Sequence, residues 1–347
     1  MTAMNEINLT LRSATAKATT ATMRASVRSQ YGTPDVLAFE EIERPIAGAD
    51  DVLVRVHAAG VSIGDHHMVS GRPYLIRLSP FGGLPRPRNR VPGTAMAGRV
   101  EAVGANVTTF RAGDEVYGEA PSGAFAEYVV APAKRIALKP SNLSFEEAAA
   151  TPWGAVALQA LRDAGGLVAG QRVLINGASG GVGTWAVQIA KALGAKVTAV
   201  CSTRNIEMVR ALGADEIVDY TTDDFVAGGA RFDLMLDTVG NRSLSDCKSV
   251  LVPEGTYVSC SGGGGDWFGP IFWLARVIMT SWFSSQKLTT FIASPSQQDL
   301  LILNELVEAG KVKPVLEHRY ALNEVADALR HVGEGHARGQ TVITIAS

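Results

Sequence analysis

Cysteine is scarce in this chain of 347 residues: there are three, Cys201, Cys247 and Cys260, and none before position 201. No CxxC pair and no Cys/His cluster at metal-ligand spacing occurs, which excludes a zinc ribbon and a disulfide framework. A surplus of positive charge is missing as well. With 32 Lys+Arg against 34 Asp+Glu the net charge is −2, so nothing is left over to neutralise the phosphates of a nucleic acid. The chain also lacks an apolar run suited to a bilayer. Its most apolar stretch, Trp267–Phe283, holds three tryptophans but carries Arg276 near its middle and sits at the short end of the spanning range, so stable membrane insertion is not expected. The first 22 residues are rich in Ala, Thr and Ser without a continuous apolar core, which excludes a secretory signal. They read as a disordered leader or a short transit-like segment, and the chain is placed in the cytoplasm.

What is present is a globular composition. The chain is 46% hydrophobic and 19% charged, enough to bury a substantial core at a length that suggests roughly two domains. From Met23 to Lys139, short β-rich runs (Val52–His57, Gly98–Val103, Ala126–Val130) alternate with turn signals such as Arg111-Ala112-Gly113-Asp114, the texture of a β-barrel-like domain. From about Phe145 the texture changes. Strands at Arg172–Asn176, Lys196–Cys201, Glu216–Tyr220, Asp233–Asp237 and Thr256–Cys260 alternate with helices at Thr184–Leu193 and Ile206–Leu212, which predicts βαβ units and a doubly wound parallel sheet. Mixed character returns with helices at Asp299–Ala309 and Glu324–Val332 and a last strand at Thr341–Ile345. The stretch Trp267–Phe283 reads either as a helix packed over the sheet or against a second subunit, or as an apolar wall of a substrate cleft.

The strongest chemical signal is Arg172–Asn176 followed by Gly177-Ala178-Ser179-Gly180-Gly181-Val182-Gly183: a buried strand, a glycine-rich turn, then a helix. Gly180 lets the backbone approach a pyrophosphate, and Gly183 lets helix and strand pack closely. The helix N-terminus offers unpaired N–H groups to the anion, with Ser179, Gly181 and Val182 beside them. Ala178 stands at the first glycine of the usual pattern. The second strand ends in Ser202-Thr203-Arg204, with no acid before Glu207 to hold a ribose 2′-hydroxyl. Two hydroxyls and a guanidinium suit a dianionic phosphate, so NADPH is expected rather than NADH.

At this point the chain resembles the medium-chain dehydrogenase/reductase superfamily, in its zinc-independent, quinone-oxidoreductase-like branch. The resemblance rests on Tyr31-Gly32-Thr33-Pro34-Asp35-Val36-Leu37, Gly60-Val61-Ser62-Ile63-Gly64-Asp65, Ala112-Gly113-Asp114-Glu115-Val116-Tyr117-Gly118, Gly123-Ala124-Phe125-Ala126-Glu127-Tyr128, the nucleotide loop and Ala309-Gly310-Lys311-Val312-Lys313-Pro314. It implies an α/β protein: a GroES-like β-barrel-type catalytic domain from residues 23–148 and 299–347, a doubly wound Rossmann domain over 149–298, and a cleft where they meet. Homodimerisation is implied as well. Zinc-dependent relatives have a cysteine where this chain has Ser62 and a His-Glu pair where it has Thr94 and Ala95, so no metal is expected.

Without a Lewis acid, an alkoxide has no obvious stabiliser, whereas a quinone or α,β-unsaturated carbonyl delocalises incoming charge. The expected reaction is therefore NADPH-dependent reduction of a small apolar conjugated carbonyl or quinone. A non-catalytic NADPH-binding protein and a zinc-free alcohol or carbonyl dehydrogenase are the alternatives. By resemblance, Tyr74 is the first candidate to bind the carbonyl oxygen, followed by Asp65 and Ser62. Tyr220 stands near the adenosine phosphate, and Gly262 and Gly263 near the nicotinamide. Two departures concern that end: no threonine follows Pro152 in the helix, and Gly339-Gln340 replaces the more usual Gly-Lys.

Overall fold

The computed structural model describes residues 21–80, 82–261, 265–267, 269–335 and 338–345. The leader, apart from its last two residues, lies outside them, as do Gly262 and Gly263.

The first strands, β1 (Thr22–Val27) and β2 (Ala38–Glu43), form an antiparallel pair. A seven-stranded sheet follows, with β3 (Asp51–Val61), β4 (Ala95–Val103), β5 (Glu115–Glu119), β6 (Tyr128–Pro132) and β7 (Ile136–Leu138). The eleven-residue β3 is its hub, pairing antiparallel with β4 and β6. Because neighbours flank it and helices cover it, β3 reads as a nearly unbroken buried run rather than an alternation.

The second large sheet holds β8 (Arg172–Asn176), β9 (Lys196–Cys201), β10 (Glu216–Asp219), β11 (Phe232–Asp237), β12 (Leu251–Ser259) and β13 (Lys287–Thr290) in the order β10-β9-β8-β11-β12-β13, every pair parallel. Val173, Leu174 and Ile175 are wholly buried, as expected of a central strand covered on both faces. The chain then returns to the first sheet. There β14 (Leu316–Ala321) lies parallel to β15 (Gln340–Thr344), which pairs antiparallel with β3.

The glycine-rich loop runs into the helix Gly181–Ala192. This helix begins earlier than the apolar periodicity predicts, because Gly181-Val182-Gly183 themselves form its first turn. Its Trp185 is fully buried against Gly154, where a β-carbon would come within 2.9 Å of the indole. The helix Gln297–Glu308 packs Leu300, Leu303 and Val307 into the same core. It also reaches the first sheet: the Tyr117 hydroxyl donates to the carbonyl oxygen of Leu300, 3.0 Å away.

The tryptophan-rich stretch forms the helix Gly269–Trp282. Val277 is buried and Trp273 packs beside it over β12, its indole N–H 3.4 Å from the Ser259 hydroxyl. Met279 and Trp282 face solvent. Among the described residues no helix is long and apolar enough to cross a membrane.

Candidate active site

Chain order reverses between β8 and β11, so the crevice beyond their carboxyl ends is where a doubly wound sheet takes its ligand. A cavity of about 720 Å³ opens there. Its floor is the glycine-rich loop, and two glycines in it are compulsory. Gly177 has φ +85, and a β-carbon on it would lie 2.4 Å from the Thr238 hydroxyl; one on Gly183 would lie 2.0 Å from the carbonyl oxygen of Gly177. Gly180 precedes the helix and gives it no side-chain cap, so the first N–H groups of the helix have no acceptor within it. Ser179, Gly180, Gly181 and Val182 all line the cavity. The final strand straps the loop in place: the Gly339 N–H donates to the Ser179 carbonyl at 2.8 Å, and the Gln340 side-chain amide donates to the Gly181 carbonyl at 2.7 Å. Gln340 therefore has a local task that a lysine ammonium would perform with different geometry.

At the outer end, Ser202, Arg204 and Tyr220 line the cavity. Thr203 does not. Its hydroxyl donates to the Asp219 carboxylate and lies 2.9 Å from that of Thr221. The bond from Thr203, with those from Thr221, holds the Asp219 carboxyl below its ordinary range. The register of β10 sets Asp219 beside Cys201, but its carboxylate is engaged by Thr203 and Thr221 and does not line the cavity. Asn205, which sequence reasoning passed over, is 3% exposed and lines the cavity. Its Nδ2 donates to the hydroxyl oxygens of Ser179 (3.0 Å) and Ser202 (3.2 Å), while its Oδ1 is buried without a partner. With those oxygens already accepting, both serine hydrogens are free to point at an anion.

At the inner end, Asn176 donates to Asp237 (2.9 Å) and Asn241 (3.0 Å). The wholly buried Asp237 carboxylate also accepts from the N–H groups of Val239 and Gly240 and from the Tyr257 hydroxyl, so it fixes the turn that walls the crevice. Cys260 lines the cavity too; burial pushes its thiol up to about 12, so it stays protonated. Trp153, in the helix Pro152–Gln159 that carries no threonine, lines this cavity and the next.

A second cavity, about 280 Å³, shares Ser62, Gly64 and Trp153 with the first. It is lined by four charged residues from separate parts of the chain: Arg28, Asp65, Glu119 and Arg135. Ser62 caps the helix Ile63–Ser70 in a reciprocal box: its hydroxyl oxygen accepts from the Asp65 N–H, and Asp65 accepts from the Ser62 N–H at 2.9 Å. The Ser62 hydroxyl is also 2.7 Å from Asp65 Oδ2. Burial pushes the Asp65 carboxyl up to about 6, opposed by the bonds from Ser62 and the charge of Arg28. Burial and then the charge of Asp65 push Glu119 up to about 7, opposed by Arg135. Burial lowers the Arg28 guanidinium, which donates to the Met68 carbonyl.

Of the residues expected to act on the carbonyl, the structure brings Ser62 and Asp65 to this cavity and leaves Tyr74 outside both. Tyr74 rests its ring on Trp267, centroids 4.4 Å apart, and its N–H donates to the Asp266 carbonyl at 2.7 Å, while Arg72 pairs with the Asp266 carboxylate at 2.9 Å. No described residue of 267–283 lines either cavity, so the reading of that stretch as a cleft wall finds no support among the described residues. Arg28, Glu119 and Arg135 were missed. Glu119 alone had a local signal, an ionisable side chain next to the buried run Val116-Tyr117-Gly118. Among the described residues, Glu317, His318 and His331 bring three ligand atoms within 4.8 Å of one another; none lines either cavity. At the metal-ligand positions of zinc-dependent relatives the chain offers the hydroxyls of Ser62 and Thr94, a donor set poorly suited to zinc.

Comparison with known proteins agrees with this architecture. Residues 48–141 match the family described as "Alcohol dehydrogenase GroES-like domain", and residues 212–343 match "Zinc-binding dehydrogenase". The chain is 34% identical to the zebrafish (Danio rerio) "NAD(P)H oxidoreductase RTN4IP1, mitochondrial", covering 93% of this chain and 91% of that one. It belongs to the medium-chain dehydrogenase/reductase superfamily, in the quinone-oxidoreductase-like branch. It is also 32% identical to the "Chloroplast envelope quinone oxidoreductase homolog" of Arabidopsis thaliana, over 88% of this chain and 93% of that one. The solved quinone oxidoreductase of Coxiella burnetii superposes with a TM-score of 0.83 at 29% identity, covering 94% of this chain and 100% of that chain. The protein is accordingly an enzyme, an oxidoreductase that works with a nicotinamide cofactor.

Proposed function

We propose that the protein is an NADPH-dependent, zinc-independent reductase of a small apolar quinone or α,β-unsaturated carbonyl. The observation that carries this reading is the pair of abutting cavities: one is floored by helix N–H groups and edged by Arg204, and the other is small and lined by the carboxyl groups of Asp65 and Glu119 with Arg28 and Arg135. The names of relatives agree, among them a 2-methylene-furan-3-one reductase of Solanum lycopersicum, 32% identical over 92% of this chain. Bound NADPH supplies a hydride from its nicotinamide. The first turn of the helix Gly181–Ala192, with Ser179, Gly180, Gly181, Val182 and Gly183, would seat the pyrophosphate. Ser202 and Arg204 would hold the 2′-phosphate, with Tyr220 beside the adenosine. Thr203 enters this reading as a support for Asp219. Ser62 and Asp65 are our candidates for orienting the substrate oxygen, and Trp153 for keeping water from the junction.

The two ends of the chain's architecture, 23–148 with 299–347 and the intervening 149–298, are proposed as the catalytic and nucleotide-binding domains. We further propose a homodimer that covers the exposed face of the helix Gly269–Trp282, and a cytoplasmic location; light scattering and cell fractionation test these.

The functional test is oxidation of NADPH, followed by absorbance, with para-benzoquinone, methyl vinyl ketone and a saturated aldehyde offered separately. The reading expects turnover with the first two. Turnover with the aldehyde alone would favour a carbonyl dehydrogenase instead.

A further inference from the structure

No described carboxylate lines the outer cavity, and Asp237, buried beside it, is satisfied by hydrogen bonds. The inner cavity is different. Asp65 is 3% exposed and satisfied by Ser62. Glu119, at the end of β5, lines the same cavity, partly exposed to it, and its carboxyl group makes no hydrogen bond among the described residues. A polar group turned into a cavity with its bonding capacity unspent is available to whatever enters.

We propose that Glu119 is a catalytic residue: from the wall of the inner cavity its carboxyl group delivers the proton that completes reduction of the substrate. The inference rests on the reductase reading and adds the proton source to it. The electron pair arrives at the substrate with the hydride. The Glu119 O–H bond then breaks, its proton forms the new C–H or O–H bond of the product, and Glu119 is left as carboxylate until solvent reprotonates it. The charged groups facing it are Asp65 from the helix Ile63–Ser70, Arg28 after β1, and Arg135 before β7. Burial and the Asp65 charge hold Glu119 near about 7, against Arg135. A substantial fraction therefore carries its proton at neutral pH, which suits a general acid.

The test compares the wild-type protein with Glu119→Gln, using NADPH with methyl vinyl ketone and with para-benzoquinone across pH. Glu119→Gln should lower kcat on the enone about 100-fold with little change in KM. It should also remove the fall in wild-type kcat on the alkaline side of about pH 7. Arg135→Gln should move that alkaline limb to higher pH, since it removes the charge that opposes protonation. An independent arm needs no turnover. Raised in the folded state, the Glu119 pKa makes its contribution to stability full at acid pH and lost as pH rises through about 7. Glu119→Gln should therefore unfold at the wild-type temperature at about pH 4, below the ordinary range of a glutamate, but at a higher temperature at about pH 8. Wild-type turnover with an unchanged Glu119→Gln kcat and pH profile overturns the inference, and so does an equal unfolding difference at both pH values. Failure of the wild type on every substrate, with the unfolding result as expected, would instead refute the reductase reading.

Discussion

The two cavities meet at Ser62, Gly64 and Trp153, yet they are built by different means. The outer one is made chiefly of backbone: a short run of consecutive residues supplies its floor, and the anion binding proposed for it rests on N–H groups whose position the helix fixes. The inner one is made of side chains. Arg28, Asp65, Glu119 and Arg135 come from four separate segments and depend on the packing of β3, β5 and the helix Ile63–Ser70 to meet. A backbone site tolerates loss of a side chain but not addition of one; a side-chain site has the opposite sensitivity.

The sharpest way to break that contrast is Gly183→Val. Its β-carbon would start 2.0 Å from the Gly177 carbonyl oxygen, so NADPH binding measured by calorimetry should vanish although no contact group is deleted. Next in size is Asn205→Leu, which keeps the volume but frees the Ser179 and Ser202 hydroxyls from their common donor. A loss of about 1 kcal/mol in ordering those hydroxyls should weaken NADPH about fivefold. Fluorescence titration would read it, and an unchanged affinity would show that the serines order themselves. The smallest effect is expected of Tyr74→Phe. Its ring sits on Trp267 outside both cavities, so kcat should stay within about twofold of wild type, as expected for a hydroxyl away from the site. A drop of the size given for Glu119→Gln would return Tyr74 to the chemistry.

Legibility from sequence follows the same division. β8 and β9 occur at the residues where apolar runs place them, because a buried parallel strand needs an unbroken apolar stretch and that is local information. The glycine loop is legible for a similar reason: strand, turn and helix are contiguous. Thr203 was misjudged because its hydroxyl is claimed by Asp219, which comes 16 positions later and arrives only through the β9–β10 register. Asn205 was passed over because nothing local distinguishes a helix-start asparagine in solvent from one that organises two serines. Glu119, at the end of a strand, and Arg28, just after one, look like ordinary surface charges until the fold turns them into a shared cavity. Tyr74 shows the converse. Resemblance placed it in the cleft, while its ring met Trp267 in the crossing from the other large sheet.

The account depends most on an anion seat that distinguishes the two nicotinamide nucleotides through Arg204. Calorimetric titration of the wild type and of Arg204→Ala with NADPH and with NADH tests it directly. Loss of a charge-assisted contact of about 1.5–3 kcal/mol should weaken NADPH by roughly 10–100-fold and leave NADH nearly unchanged. Equal weakening of both nucleotides, or of neither, would contradict it.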